Sequence, residues 1–570
     1  MLALYLLLAV GLTWPLACHL GTHVVLANIA AFGDPWVVGW SLAHVSRALA
    51  GLAHGGIFHP ASHGLFYGET GLGALPLFIG PYLLTRDPIL GLNVVLLGGL
   101  ALTAWSLHVV TVRWTGSQVA GFLSGWTFLA CPFSAWAWGP SAANYVTLWY
   151  WPWIVLYASA PAGVPVLALA ALVFVQGLST VYVAVGLLGP LLALATVRLA
   201  SRGTRRAGAR LLAASTIAAL GWGLAFMPYL RVRLENPDLA RQTLYPFLPL
   251  YPLRSALFDA GEPSGVAPMA LGLIALGAIA RVGGGGRLGS AWRHCLVWIV
   301  VGLVLALPPR VAVLGHVVPS PVGLLADVGV PVHAVRDNGR RGIAALIGLA
   351  LLVGVAYVEC VDWVARRRGD AGAGGRTVPL VLALLVAVGI FHGLCRPVVR
   401  RGGSAATPGR YPLFDARASR RIDSPIMTVL REPGGPLLEL PTAPGVIRHA
   451  DAMHRAAVHG RAILNGLQGY WPGEFPGWMA IACRLPDPEA LATLRAGTGL
   501  ELILVHLVPE PLGGPVGPYA CPPQPMDAPV APSSQEPWRP AIWEEIARGG
   551  RADLTLVVRD GDDLLFRVAP

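Results

Sequence analysis

Gly33-Asp34-Pro35-Trp36, in the segment 28–52 that follows the first apolar run, places an acid a few residues outside a membrane helix. The chain around it is 55% hydrophobic and only 12% charged, with a mean hydropathy of +0.61. A carboxylate beside hydrocarbon is costly unless it has a partner or a task. Long apolar runs spread over 570 residues exclude a soluble protein and predict an all-α bundle of membrane-spanning helices.

The net charge of +11 comes wholly from arginine, since the sequence contains no lysine. A basic chain can bind nucleic acid, but here the arginines cluster in short loops between apolar runs. That is the positive-inside pattern, and it excludes nucleic acid as the partner. The loops 198–210, 281–293 and 366–376 are therefore predicted to be cytoplasmic, with two spans between each and the next. These are 211–229 and 266–281, then 294–308 and 341–360. Parity puts 230–265 and 309–340 on the opposite face, and a last span, 377–395, exits to that face.

Before Arg198 the predicted spans are 1–20, 88–111, 117–133, 143–160, 163–179 and 180–198. The first lacks the basic start of a signal peptide and is kept as a helix. The apolar stretch 71–84 would break the parity. It is short for a span and carries Pro76 and Pro81, so it is predicted to lie on the outer surface. The expectation is about eleven spans, N-terminus inside and C-terminus outside, in a transmembrane domain over 1–395 with a large first outer loop, 21–87. Within that loop Trp36, Trp40, His44 and Arg47 recur at three to four residues, which predicts a membrane-surface helix over 36–53. An interfacial aromatic belt explains Trp36 and Trp40 equally well.

After residue 396 charge, proline and glycine return and no run is long enough to span. Leu437-Leu438-Glu439-Leu440 and Leu502-Ile503-Leu504-Val505 read as strands, 486–495 as a helix, and 554–558 with 564–568 as a hairpin. The prediction is an extracytoplasmic α+β domain over 396–570, with 509–540 an irregular proline-rich loop. Of seven cysteines, five lie in or beside apolar runs, and none shows a CxxC or metal-ligand spacing. Cys483 and Cys521 fit either a disulfide or two reduced thiols. No metal site is predicted.

Outer loop 309–340 ends in Val335-Arg336-Asp337-Asn338-Gly339-Arg340-Arg341, on the face that positive-inside statistics disfavour. Arg336 and Arg340 stand four apart, on one face of a helix beginning there. Arginine grips phosphate through a planar fork of donors, and a helix N-terminus adds partial positive charge. Contact with lipid headgroups is the plainer explanation.

Several stretches together resemble the GT-C superfamily of polyprenyl-phosphate-sugar-dependent glycosyltransferases, and more closely a bacterial multispanning group within it. They are Gly33-Asp34-Pro35-Trp36 with Trp40-Ser41-Leu42-Ala43, Phe58-His59-Pro60 through Tyr67-Gly68-Glu69, and Asp87-Pro88 with Asn93. Arg336-x-x-x-Arg340, Leu438-Glu439-Leu440-Pro441, and His459 through Asn465-Gly466 with Tyr470-x-Pro472 complete the set. The resemblance implies a GT-C fold in a bacterial inner membrane and a polyprenyl-phosphate sugar as donor substrate, with no cofactor required. The acceptor would be an extracytoplasmic glycan, lipid or protein. It maps the catalytic acid onto Asp34 and a second acidic position onto Glu69, with Arg336 and Arg340 holding the donor phosphate. It also makes Trp36, Trp40, His59, His459, Asn465 and Tyr470 substrate contacts.

Residue chemistry leaves alternatives beside those roles. Glu69 would serve equally as a cap on helix 71–84. His459 and Asn465 would serve to hold the outer domain's loops, Glu439 as a salt-bridge partner and His506 as a structural histidine. A lipid or glycan transporter without transferase activity is the alternative to an enzyme. It would favour inverted repeats and mid-span acids, of which Glu359 and Asp362 are the nearest instances.

Overall fold

The computed structural model describes residues 1–25, 33–52, 55–137, 142–160, 165–237, 251–252, 268–282, 288–313, 316–328, 339–368, 377–394, 413–419, 421–442, 446–508 and 538–569. It is mostly helical. Among the described residues, five helices are long and apolar enough to cross a membrane: Pro88–Thr115, Val181–Ala200, Arg205–Ala225, Gly289–Ala306 and the stretch Gly339–Arg367. Leu2–Leu12, Leu72–Thr85, Val166–Gly177, Pro268–Val282 and Pro379–His392 are apolar but shorter.

The last of the five long helices, buried from Arg341 to Cys360, is the axis of the bundle. Pro88–Thr115, Gln118–Leu129, Val181–Ala200, Pro268–Val282 and Gly289–Ala306 all pack on it. Glycines permit the close approach. A methyl on Gly348 would meet the Cys295 carbonyl at 3.0 Å, and one on Gly354 the Ala120 carbonyl at 2.6 Å. Such small-residue seams are how apolar helices associate when lipid offers no hydrophobic drive.

Several predicted spans take a different form: the helices within 1–20, 117–133 and 163–179 have only 11, 12 and 12 residues. The span predicted over 143–160 is a short turn, Ala143–Val146, followed by a nine-residue helix, Trp151–Ser159. The one predicted over 211–229 begins earlier, at Arg205, and stops at Ala225, where Phe226 and Pro228 start a second helix, Met227–Glu235. The helix in 71–84, Leu75–Thr85, has eleven residues with Pro81 inside. That is well short of the roughly 20 needed to cross.

The predicted membrane-surface helix forms one residue-pair earlier than expected, as Asp34–Leu49, but it is no surface helix. Trp36 is fully buried and Trp40 nearly so. One face packs on Pro88–Thr115 and Leu75–Thr85, the other on Val446–His459 from the C-terminal region. The Trp36 ring lies 4.4 Å from His454 and 6.5 Å from Phe414. Arg47 donates to the Val458 carbonyl at 2.6 Å, and Tyr82 to the Ala457 carbonyl at 2.7 Å, satisfying the end of the partner helix.

The first loop and the C-terminal region are joined along their backbones as well. His23–Val25 pairs antiparallel with Leu413–Asp415. Residues 55–59 run beside 460–465: Gly55 N donates to Gly460 O at 2.7 Å, Ile463 N to Gly56 O at 3.0 Å, and His59 N to Ile463 O at 3.0 Å. The motif residues Asp87 and Asn93 serve the same junction. Asp87 caps the Pro88–Thr115 helix through Ile89 N and meets Arg417 at 3.3 Å. Asn93 donates to the carbonyls of Leu20 and His23 at 2.8 and 2.7 Å.

A four-stranded mixed sheet closes the chain, in the order Leu437–Leu440, Leu502–His506, Asp563–Val568, Leu554–Asp560. The first pair is parallel and the others antiparallel, with the predicted hairpin turning at Gly561 (φ +58°). The predicted helix is Pro488–Thr498, capped by Asp487 and ended by left-handed Gly499. Further helices that the sequence did not announce include Pro425–Leu430, Val446–His459, Phe475–Ala482 and Pro540–Gly549. Most of the irregular loop, 509–537, lies outside the described residues. Cys483 is disulfide-bonded, whereas Cys18, Cys131, Cys295 and Cys360 are free thiols; Cys521 lies outside the described residues.

Candidate functional site

Where the 143–160 run loses its helix, the backbone amides and carbonyls need partners that an apolar surround cannot give. Polar side chains supply them. Thr103 accepts from Leu148 N at 3.1 Å and donates to Val146 O at 2.8 Å. Gln176 donates to Thr147 O at 2.8 Å and accepts from Tyr150 N at 3.1 Å. Thr147 closes the turn on Asn144 O at 2.7 Å. The turn so fixed aims Asn144 and Tyr145, both buried, at Glu69.

Tyr145 donates its hydroxyl to Glu69 Oε1 at 3.0 Å, and Asn144 Nδ2 lies 3.4 Å from Glu69 Oε2. From the other side Arg340 Nη1 donates to the Tyr145 oxygen at 3.0 Å. The Arg340 guanidinium rests 5.2 Å from the Tyr145 ring centre and 5.5 Å from that of Tyr182, which holds the cation by its face. Arg340 stands in the turn Gly339–Gly342 that leads into the axial helix.

The loop carrying Glu69 is clamped next to the acid. The Tyr229 hydroxyl donates to the Gly68 carbonyl. Asn236 donates to the Tyr67 hydroxyl at 3.1 Å and accepts from Gly473 N at 2.9 Å, and Tyr470 N donates to Tyr67 O at 2.9 Å. A methyl on Gly68 would overlap the buried Gln468 amide at 1.9 Å, so the C-terminal region presses directly on this loop.

Glu69 keeps a little surface, but it lies deep enough that desolvation raises its carboxyl above the usual range. Arg340 and the Tyr145 hydroxyl oppose that rise, Asp34 adds to it through like charge, and Asn144 opposes it weakly. Asp34 is thus a near electrostatic neighbour of Glu69. It stands in the first turn of its helix, where the unpaired amides carry partial positive charge. Two carboxylates and a cation converge at the end of an apolar bundle.

Three of the four residues given chemistry by the sequence, Asp34, Glu69 and Arg340, meet here; Arg336 lies outside the described residues. Glu69 is not a helix cap. The turn and helix that follow it begin after Gly71 and Ala74 with no side-chain cap. The six residues expected as substrate contacts are spread along the junction of first loop and C-terminal region. Trp36 and Trp40 are buried in the helix interface. His59 donates to Thr498 O at 2.9 Å, and His459 accepts from Arg461 N at 3.0 Å. Asn465 holds the strand at Glu439, accepting from its N–H at 2.8 Å and donating to its carbonyl at 3.0 Å. Tyr470 is tied by its backbone N–H to Tyr67 O, beside the loop that carries Glu69.

Glu439 is the salt-bridge partner of Arg455, and His506 links it to Asp563, at 3.5 and 2.8 Å. Burial would raise Glu439, but Arg455 and His506 outweigh it and hold the carboxyl well below the usual range. Asn144, Tyr145 and Tyr182 escaped the sequence reading. Their one signal was the polar pair Asn144-Tyr145 soon after Gly139-Pro140 in an otherwise apolar run. Among the described residues no group of three or more His, Cys, Asp or Glu is arranged to hold a metal ion.

No protein-family model and no curated protein matches the chain. Among solved structures it is similar to ArnT from Cupriavidus metallidurans in the apo state, at 14% identity over 99% of this chain and 97% of that one, with a TM-score of 0.48. It is also similar to the Archaeoglobus fulgidus oligosaccharyltransferase in complex with zinc and sulfate. That match has 11% identity, 89% coverage of this chain and 68% of the other, and a TM-score of 0.36.

Proposed function

We propose that this chain is an integral-membrane glycosyltransferase that moves a sugar from a polyprenyl-phosphate donor to a hydroxyl on an extracytoplasmic acceptor. The observation that carries the reading is the convergence of Asp34 and Glu69 with Arg340 at one end of the apolar bundle. In this reaction the acceptor oxygen attacks the anomeric carbon and the bond from that carbon to the phosphate oxygen breaks. The acceptor proton passes to a carboxylate, for which Asp34 is the base. The electron pair leaves on the phosphate, where Arg340, and Arg336 with it, offset the growing negative charge. The donor's lipid stays in the bilayer while its phosphate meets the site at the surface. The disulfide at Cys483 supports an oxidising, outer location for the C-terminal region.

The test is transfer by the purified full chain in lipid nanodiscs, offered a panel of polyprenyl-phosphate sugars, alongside mass spectrometry of extracytoplasmic glycans with and without the protein. A sugar-dependent release of polyprenyl phosphate together with a lost glycan mass supports the reading. No release from any donor and unchanged glycans overturn it.

A further inference from the structure

Glu69, Tyr145 and Arg340 form a chain in which one hydroxyl serves two masters. Its proton goes to the Glu69 carboxylate at 3.0 Å, and its oxygen accepts from the Arg340 guanidinium at 3.0 Å. A hydroxyl that accepts from a cation becomes a stronger donor to the next group in the chain. Tyr145 is held for this place. It is buried, edge-on to Phe133 with ring centres 6.2 Å apart, and its turn is pinned by Thr103 and Thr147. The guanidinium sits against its ring face.

We infer that Tyr145 is a positioning residue that couples the anion site at Arg340 to the protonation of Glu69, so that a phosphate held by Arg340 brings one proton from solvent onto the Glu69 carboxylate. The inference rests on the donor reading above. Before the anion arrives, the charge of Arg340 reaches Glu69 directly and through the polarised hydroxyl, and favours the carboxylate. A phosphate neutralises that charge and draws Nη1 away from the Tyr145 oxygen. Glu69 is then left to the groups that favour its neutral form, namely its burial and the like charge of Asp34. The other polar groups facing it do not reverse this. Asn144 is a weak donor at 3.4 Å, and Tyr229, from the Met227–Glu235 helix, is tied to the Gly68 carbonyl. A neutral Glu69 no longer repels the phosphate and leaves Asp34 as the ionised member of the pair. No covalent bond changes; one solvent proton is taken up on binding and returned on release.

Linkage makes this measurable without an acceptor. If binding takes up one proton, affinity falls with rising pH by up to about tenfold per unit in the range where Glu69 titrates. The probe is polyprenyl monophosphate, titrated into the full chain in nanodiscs in weak buffer with an indicator dye. Proton uptake and affinity are read over the same pH range. The phosphate titrates too, so the quantity of interest is the difference between wild type and Glu69→Gln. Wild type is expected to take up more protons than Glu69→Gln, and Tyr145→Phe to lose most of that excess while still binding the probe. Tyr145→Phe removes only the hydroxyl and keeps the ring against Arg340. Should Glu69→Gln fail to fold, the pH dependence of affinity in wild type against Tyr145→Phe decides alone. Equal uptake in wild type and Glu69→Gln, or an excess undiminished in Tyr145→Phe, overturns the coupling and leaves the donor reading standing. A wild type that does not bind polyprenyl monophosphate overturns both.

Discussion

Asp34 is the residue on which the proposed chemistry is most exposed. A purely structural Asp34 would cap its helix, and asparagine caps as well as aspartate. The N-cap of that helix is Gly33, and Asp34 stands one residue inside, within the electrostatic reach of Glu69. Asp34→Asn is therefore expected to lower turnover by about 10²–10⁴-fold, the usual worth of a positioned base, with the melting temperature little changed. Full activity on a confirmed substrate would move the base to Glu69. The acids and the arginine were legible in the sequence because a charge in an apolar chain demands a reason. Tyr145 and Asn144 were not. An aromatic and an amide in a long apolar run are ordinary, and their role depends on the helix failing at 143–150, which hydrophobicity alone does not signal.

At the scale of elements, the Asp34–Leu49 helix shows what spacing can and cannot say. Aromatic and polar residues at three to four announce a face, but not what covers it. Here the cover is Val446–His459, some four hundred residues away in sequence, and Trp36, which a membrane belt explained equally well, lies against its His454. The junction beside it, 55–59 against 460–465, has no room to spare. A methyl on Gly55 would sit 1.8 Å from Ala462 N and 2.2 Å from the Arg461 carbonyl carbon, both backbone atoms that cannot swing aside. Gly55→Ala is expected to cost about 1–3 kcal/mol through overpacking. Gly56→Ala, where the methyl meets nothing within 4 Å, should be silent. Thermal melting of the pair checks this, and equal melting temperatures would mean the junction is looser than drawn.

The same element carries a pH dependence. Burial pushes His449 down to about 4 and His459 to about 3, from an ordinary 6.5. A histidine whose folded value lies below its unfolded one adds stability that is complete above 6.5 and is lost as pH falls through the folded value. His506 has the opposite sign. Burial and Arg455 lower it, but its bonds to Asp563 and Glu439 raise it overall, so its contribution is present below 6.5 and lost as pH rises. The acid-side loss is thus isolated by difference. His449 packs edge-on to Phe475 with ring centres 5.4 Å apart and, among the described residues, has only a long 3.5 Å contact to Asn465. His449→Phe is expected to shallow the fall in melting temperature between pH 6.5 and pH 4. An unchanged slope would show that His449 ionises without cost.

For the whole molecule, topology is constrained by something the sequence did not contain. The first loop and the C-terminal region share hydrogen bonds, so they lie on one side of the membrane, and the chain between residues 59 and 460 crosses it an even number of times. The arginine loops predicted ten crossings over that interval. Had the Leu75–Thr85 helix crossed as well, the total would be odd and the junction could not form. Parity from charge and parity from packing thus agree, although they rest on different residues. Packing does not choose which side is outside; arginine placement predicts that the first loop and the C-terminal region are. Single added cysteines in a Cys18→Ser, Cys395→Ser background separate the two arguments. Ala50→Cys and Ala492→Cys are both exposed, one after the Asp34–Leu49 helix and one on Pro488–Thr498. Arg202→Cys is exposed in the loop between Val181–Ala200 and Arg205–Ala225. In intact cells a membrane-impermeant thiol reagent should label the first two, and Arg202→Cys only after permeabilisation. Labelling of Ala50→Cys and Ala492→Cys from opposite sides would break the junction itself. Labelling of both from the cytoplasm alone would keep the fold, invert the protein, and remove an extracytoplasmic acceptor from its reach.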